Sequence, residues 1–209
     1  MQIARKKNAS AKNSCIINMD SMQIYKHIPI ITAQPTVVDV QEIPHFLYGF
    51  AQNDYNLSFG KWATMLRQTI DDVQSKGFES IIVGGTMMYA YMLLNGYSQI
   101  PEIPDEMRLE MNQMYDAIGH DDFLQMVQSL DVNTPQDRQR LVYNYCLLKV
   151  SSKGLEYYKT LPQIKFFKEN EIEIIIPQKT RAEVYETCNG RFLDMITHGL
   201  FEEIDAVKH

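Results

Sequence analysis

At 209 residues the chain has room for one domain, or one domain with a smaller insert, and for a sizeable core. Hydrophobic residues at 45% and charged residues at 22% exclude a disordered tail, a coiled coil and a collagen-like fibre, and no apolar run approaches the roughly 18 residues that cross a bilayer. A net charge of −6, from 20 basic and 26 acidic residues, argues against a non-specific nucleic-acid binder but leaves room for a local basic groove. Cys15, Cys146 and Cys188 are widely spaced and include no C-x-x-C, which argues against a disulfide scaffold or zinc ribbon and for a reducing cytoplasm.

The first 14 residues carry Arg5, Lys6, Lys7 and Lys12 with Ser10 and Ser14, and no acid precedes Asp20. This is the composition of a short transit peptide; it also suits the tail of a helix over residues 1–7 followed by a polar loop. Cys15-Ile16-Ile17-Asn18-Met19 reads as a buried strand ending at Asp20-Ser21. Pro29, Pro35 and Pro44 make the next stretch largely loop, with His45 a lone loop histidine. Ser58 is a helix N-cap, followed by Phe59, Trp62, Leu66, Ile70 and Val73 at helical spacing and a stop at Lys76-Gly77. Ile81-Ile82-Val83 predicts a second buried strand running into Gly84-Gly85-Thr86 and a helix over residues 87–94. Strand, helix, strand, helix in that order predicts an α/β fold with parallel pairing.

Beyond Pro101 and Pro104 the pattern becomes helical. Met107, Met111, Met114 and Ile118 mark one helix, and Phe123, Val127 and Leu130 a second. A third is capped by Thr134 with Pro135 at its first position, buries Leu141, Val142, Tyr145 and Leu148, and ends at Gly154. Residues 171–176 alternate as a strand. Thr180 with Glu183 then forms a capping box for a helix whose buried face is Val184, Cys188, Phe192 and Ile196. The resulting division is an α/β core over 1–104, a helical insertion over 105–168 and a return to the core over 169–209.

Three groups could carry chemistry. Gly84-Gly85-Thr86, between strand and helix, can offer amides to a phosphate, or Thr86 can simply cap the helix. Asp20 stands at the carboxyl end of a strand, the edge where open parallel sheets bind ligands; it could serve as a general base, hold a metal through water, or cap the next segment. Arg138, Gln139 and Arg140 fall in a helix first turn. Basic residues there oppose the helix dipole, which suggests a phosphate or carboxylate partner unless they form a solvated face. Arg108, in another first turn, says little alone.

Together the segments Ile16-Ile17-Asn18-Met19-Asp20-Ser21-Met22-Gln23-Ile24-Tyr25, Thr32-Ala33-Gln34-Pro35, Pro44-His45, Ile82-Val83-Gly84-Gly85-Thr86 with Tyr89, Gln136-Asp137-Arg138-Gln139-Arg140, and Arg191-Phe192 to Gly199-Leu200 resemble the tRNA dimethylallyltransferases, in family order over nearly the whole chain. The resemblance favours the helix-tail reading of residues 1–7. It implies a P-loop-NTPase-like parallel sheet flanked by helices and nucleotide (ATP) binding; the sequence leaves the oligomeric state open, a monomer being the expectation, with cytoplasmic localisation. The implied reaction transfers a dimethylallyl group from dimethylallyl diphosphate, with Mg²⁺, to the exocyclic amine of the adenosine 3′ of a tRNA anticodon. It assigns Asp20 as the base and Thr86 as the second catalytic residue, with Gly84, Gly85 and Thr86 on the diphosphate. Asp20, Ser21, Met22, Gln23, Arg108, Gln139, Arg140, Leu141, Val142 and Tyr143 match the tRNA-contacting positions. The chain departs from the pattern in having no G-x-x-x-x-G-K-S/T, since its first glycine is Gly49, and in having Tyr143 where the family has a second basic residue. A chain lacking the family's first strand, phosphate loop and C-terminal third is expected to show weak or absent catalysis on its own and reduced stability. The alternatives are an RNA-binding module without turnover and a small-molecule phosphotransferase, the latter needing the phosphate loop at least as much.

Overall fold

The computed structural model describes residues 1–9, 13–168 and 170–208. Ser10 and Lys12 of the transit-like segment lie outside these. The chain forms two compact units, Met1–Tyr91 with Asn170–His209, and Met92–Glu169. The sequence pattern sets the corresponding boundaries after residues 104 and 168. Among the described residues no helix is long and apolar enough to cross a membrane.

In the first unit, β1 (Ser14–Asn18) is the central strand of a parallel sheet, between β2 (His45–Phe46) and β3 (Glu79–Val83). All five residues of β1 are buried, as its continuous rather than alternating apolar run requires of a strand covered on both faces. Helix α1 (Gln2–Ala9) fits the helix-tail reading and packs Ala4 against Ile16 and Ile43. Helix α2 (Val37–Glu42), held by a Thr36–Asp39 capping box, occupies part of the stretch read as loop, and His45 is in a strand rather than a loop. Helix α3 (Phe59–Ser75), capped by Ser58 as expected, lays Trp62, Leu66, Ile70 and Val73 into the core beside β1 and β3. After β3 the chain turns through Gly84-Gly85-Thr86 into α4 (Met87–Asn95). Tyr89 of α4 stacks on Trp62 with ring centroids 4.7 Å apart and meets Phe59 edge-on at 5.5 Å, which anchors that turn to α3.

The strand expected over 171–176 does not form. Its alternation carries β propensity, but a strand is stable only when paired, and Ile174, Ile175 and Ile176 stand 57%, 54% and 77% exposed. The helix that follows, α9 (Arg181–Thr197), has the expected capping box but no buried residue, so the face assigned to Val184, Cys188, Phe192 and Ile196 is not a core face. Helix α10 (Leu200–Ala206) is seated in the unit through buried Leu200 and through Glu203, whose carboxylate accepts the Ile30 and Ile31 N–H groups at 2.7 and 2.9 Å.

The second unit is helical: α5 (Asp105–Ile118), α6 (His120–Gln128), α7 (Arg138–Ser151) and α8 (Leu155–Thr160). Its core gathers Met111, Phe123, Val127, Leu141, Tyr145 and Leu147. The N-cap of α7 is Asp137, whose carboxylate accepts the Arg140 N–H at 3.0 Å, and not Thr134. Thr134 is drawn instead into a buried network, where Asn144 donates to its hydroxyl at 3.1 Å and to Asp131 at 3.0 Å. Helix α7 stops at a left-handed Ser152, and Gly154 caps α8 rather than ending α7.

Candidate active site

The pairing of β1 with β3 sets the geometry of the first group. Asn18 is level with Val83, so Met19 and Asp20 leave β1 beside Gly84 and Gly85 leaving β3. The Met19 N–H donates to Val83 at 2.7 Å. A Cβ on Gly84 would lie 2.2 Å from the Met19 carbonyl carbon and 2.3 Å from its oxygen, so no larger residue fits without moving backbone. A Cβ on Gly85 would lie 3.4 Å from Asp20 Oδ2. The Ser21 N–H donates to Thr86 Oγ1 at 3.0 Å, and Thr86 Oγ1 approaches Ser21 Oγ at 3.4 Å. Asp20, Ser21, Gly84, Gly85 and Thr86, found separately in the sequence, therefore form one cluster at the carboxyl edge of the sheet. Thr86 spends its hydroxyl on Ser21, although its carbonyl does accept the Tyr89 and Ala90 N–H groups of α4.

Asp20 is held in a turn of its own. Its Oδ1 accepts the Met22 N–H at 2.8 Å, while Oδ2 is the oxygen beside Gly85. Burial pushes the neighbouring Tyr48 phenol up to about 12, with the Asp20 charge adding to the shift. Met22 is 53% exposed. Gln23 donates its amide to the Thr32 and Ala33 carbonyls at 2.9 and 2.8 Å, and so fastens the loop whose Ile30 and Ile31 N–H groups Glu203 accepts.

The second group belongs to the helical unit. Gln139 and Arg140 are exposed at the start of α7; Leu141 and Val142 are 0% and 3% exposed, so their side chains pack the core. The arginines have acidic partners: Arg140 pairs with the cap Asp137 at 2.8 Å, and Arg138 with Asp116 at 2.8 Å while lying over the Tyr115 ring. That answers much of the argument from the helix dipole. On α5, Arg108 has a buried Nε with no hydrogen-bond partner among the described residues, and its guanidinium lies 5.9 Å from the Tyr143 ring. Burial raises the Tyr143 phenol and the Cys146 thiol, and the Arg108 charge opposes both shifts.

Sequence reasoning missed Asn18 and Tyr48 around Asp20. A polar residue inside the apolar run of β1 was the available signal for Asn18.

The fold matches solved structures along almost its whole length. A tRNA Δ(2)-isopentenylpyrophosphate transferase from Staphylococcus epidermidis superposes with a TM-score of 0.58 at 23% identity, covering 99% of this chain and 68% of that one. A eukaryotic dimethylallyltransferase acting on tRNA gives a TM-score of 0.69 at 21% identity, covering 98% of this chain and 52% of that one. A small parallel sheet with flanking helices makes the molecule an α/β protein, with the fold of these tRNA-prenylating structures. The IPP transferase family model matches residues 23–209, and the chain belongs to that family. A tRNA dimethylallyltransferase of Rickettsia canadensis (strain McKiel) is 33% identical over 206 residues, taking in 96% of this chain; the chain spans 63% of that relative's length.

Proposed function

We propose that this chain takes part in dimethylallyl transfer to tRNA, with the cluster at the sheet edge as its reaction site. The observation that carries the reading is Asp20 Oδ2 beside the Gly84-Gly85 turn, with the Thr86 hydroxyl joined to the residue next to Asp20. In the reaction the exocyclic nitrogen of adenosine attacks C1 of dimethylallyl diphosphate. The new N–C bond forms as the C–O bond breaks, the bonding pair leaves with diphosphate, and Asp20 takes the proton lost by the amine. An aromatic amine is a weak nucleophile, so a carboxylate at hand for its proton raises the rate about 10²–10⁴-fold. Thr86 Oγ1 accepts from the Ser21 N–H, and its O–H, by giving up its long 3.4 Å contact with Ser21 Oγ, would donate to the departing diphosphate alongside the amides of Gly84 and Gly85.

No group of three or more His, Cys, Asp or Glu side chains that could hold a metal occurs among the described residues, which disfavours an all-protein metal site. Mg²⁺ suits the site differently, since it is commonly held by few protein oxygens together with substrate phosphates; here those would be the Ser21 and Thr86 hydroxyls. When bound it would neutralise charge on the leaving diphosphate.

The target base must leave its stack to meet Asp20. Ser21, Met22, Arg108, Gln139, Arg140 and Tyr143 are proposed to contact the anticodon loop, with Gln23, whose amide is spent on the Thr32 and Ala33 carbonyls, and the core residues Leu141 and Val142 shaping their segments. The test is transfer of label from dimethylallyl diphosphate to an anticodon stem–loop RNA by the chain and by Asp20→Asn and Thr86→Ala. Losses of about 10²-fold or more are expected for Asp20→Asn. Equal turnover in all three would refute the assignment. RNA binding that falls steeply with salt, without any diphosphate binding, would favour the RNA-binding module instead.

A further inference from the structure

Asn18 is the last residue of β1 and is 0% exposed, in a strand whose other members include Cys15, Ile16 and Ile17. A buried amide is costly unless all its polar atoms are bonded. Here they are. Oδ1 accepts the Asp20 N–H at 2.8 Å, and Nδ2 donates to the Asp20 carbonyl at 2.9 Å and to the Leu47 carbonyl at 3.0 Å. Only one orientation of the amide satisfies an N–H and two carbonyls together, so the assignment of its oxygen and nitrogen is fixed by its partners. A single side chain therefore grips both main-chain groups of Asp20 and ties them to the segment after β2. The main chain at Asn18 is pinned in turn, because the buried indole Nε1–H of Trp62 donates to its carbonyl at 3.0 Å. An apolar side chain would fill this place in a parallel sheet without a desolvation cost, but would leave the Asp20 N–H and C=O without these partners.

We propose that Asn18 is the positioning residue of the site: it fixes the Asp20 main chain so that Oδ1 is committed to the Met22 N–H and Oδ2 is held beside Gly85. Asn18 touches neither RNA nor diphosphate and acts only through Asp20. Its effect on rate rests on the reading of Asp20 as the proton acceptor; its effect on the position of Asp20 does not.

The experiment compares the chain with Asn18→Leu and Asn18→Ser, with Asp20→Asn as the control for the reaction itself. Thermal unfolding, the Met22 amide proton shift, the ¹³C chemical shift of the Asp20 carboxyl at one fixed pH, and kcat and KM for dimethylallyl transfer are read in parallel. Asn18→Leu is expected to stay folded, to move the Met22 amide and Asp20 carboxyl resonances, and to lose about 10²-fold in kcat with KM changed less than about threefold, the penalty for a group displaced by about an ångström. Asn18→Ser can keep an acceptor for the Asp20 N–H and should fall between; it carries the test if the leucine variant does not fold. Unmoved Met22 and Asp20 signals in a folded variant would overturn the proposal, as would a kcat that falls only with the folded fraction. If the parent chain shows no turnover, or Asp20→Asn matches it, the proposed reaction fails, and the two resonance readouts still decide whether Asn18 places Asp20.

Discussion

Gly84→Ala tests the junction on which both the sheet and the candidate site depend. The added methyl would sit 2.2 Å from the Met19 carbonyl carbon, about 1.3 Å inside the roughly 3.5 Å at which carbon atoms come into contact. The obstruction is main chain on a neighbouring strand, not the end of a flexible side chain, so the ends of β1 and β3 must separate and stretch the 2.7 Å Met19–Val83 hydrogen bond. Overpacking costs about 1–3 kcal/mol and a weakened hydrogen bond about 1 kcal/mol more, so a loss near 3 kcal/mol is expected. For a chain of this size that lowers Tm by about 6–12 °C. Gly85→Ala is the matched comparison: its methyl meets only Asp20 Oδ2, at an ordinary 3.4 Å. It should melt within about 2 °C of the parent while crowding the oxygen proposed to take the proton, with transfer falling about tenfold or more. Circular-dichroism melts and the transfer assay separate the two effects. A Gly84→Ala protein melting with the parent would show that the two strand ends are not packed as described.

Much of this arrangement was legible in the sequence, for identifiable reasons. The apolar run of β1 could be read as a parallel strand because burial on both faces removes alternation, and Asp20 and Gly84 followed as residues at strand ends. The cap of α7 could not be read, although Thr134 and Pro135 have the right local chemistry. Asn144, ten residues away in sequence, recruits the Thr134 hydroxyl for the core, and Asp137 caps the helix in its place. Residues 171–176 misled because β propensity reports fitness for a sheet without specifying whether a neighbouring strand is present. The partner of Arg138 could not be read because Asp116 lies a helix and a loop away along the chain, whereas Asp137, which pairs with Arg140, is only three residues from it.

Three further outcomes follow from the same contacts. Asn144→Leu strands the Leu155 N–H, which now donates to Asn144 Oδ1 at 2.5 Å, and leaves Asp131 without that donor; a loss of about 2–4 kcal/mol is expected in urea unfolding, and an unchanged midpoint would refute a structural role for the network. Glu203→Ala frees the Ile30 and Ile31 amides, so their hydrogen exchange should quicken about tenfold with global stability little altered; exchange at the parent rate would show that α10 does not hold that loop. Tyr48 makes stability sensitive to alkaline pH. Its phenol titrates at about 12 when folded against an ordinary value of 10.0, so between these values the unfolded chain has released a proton that the folded chain still binds. The associated stabilisation is therefore fully present below pH 10 and is lost as pH rises toward 12. Burial also raises the Tyr89 and Tyr143 phenols, so absorbance titration should find several late-ionising tyrosines and one fewer in Tyr48→Phe, whose stability should fall less steeply than the parent's across that window. Parallel pH profiles would mean that Tyr48 is not held away from water beside Asp20.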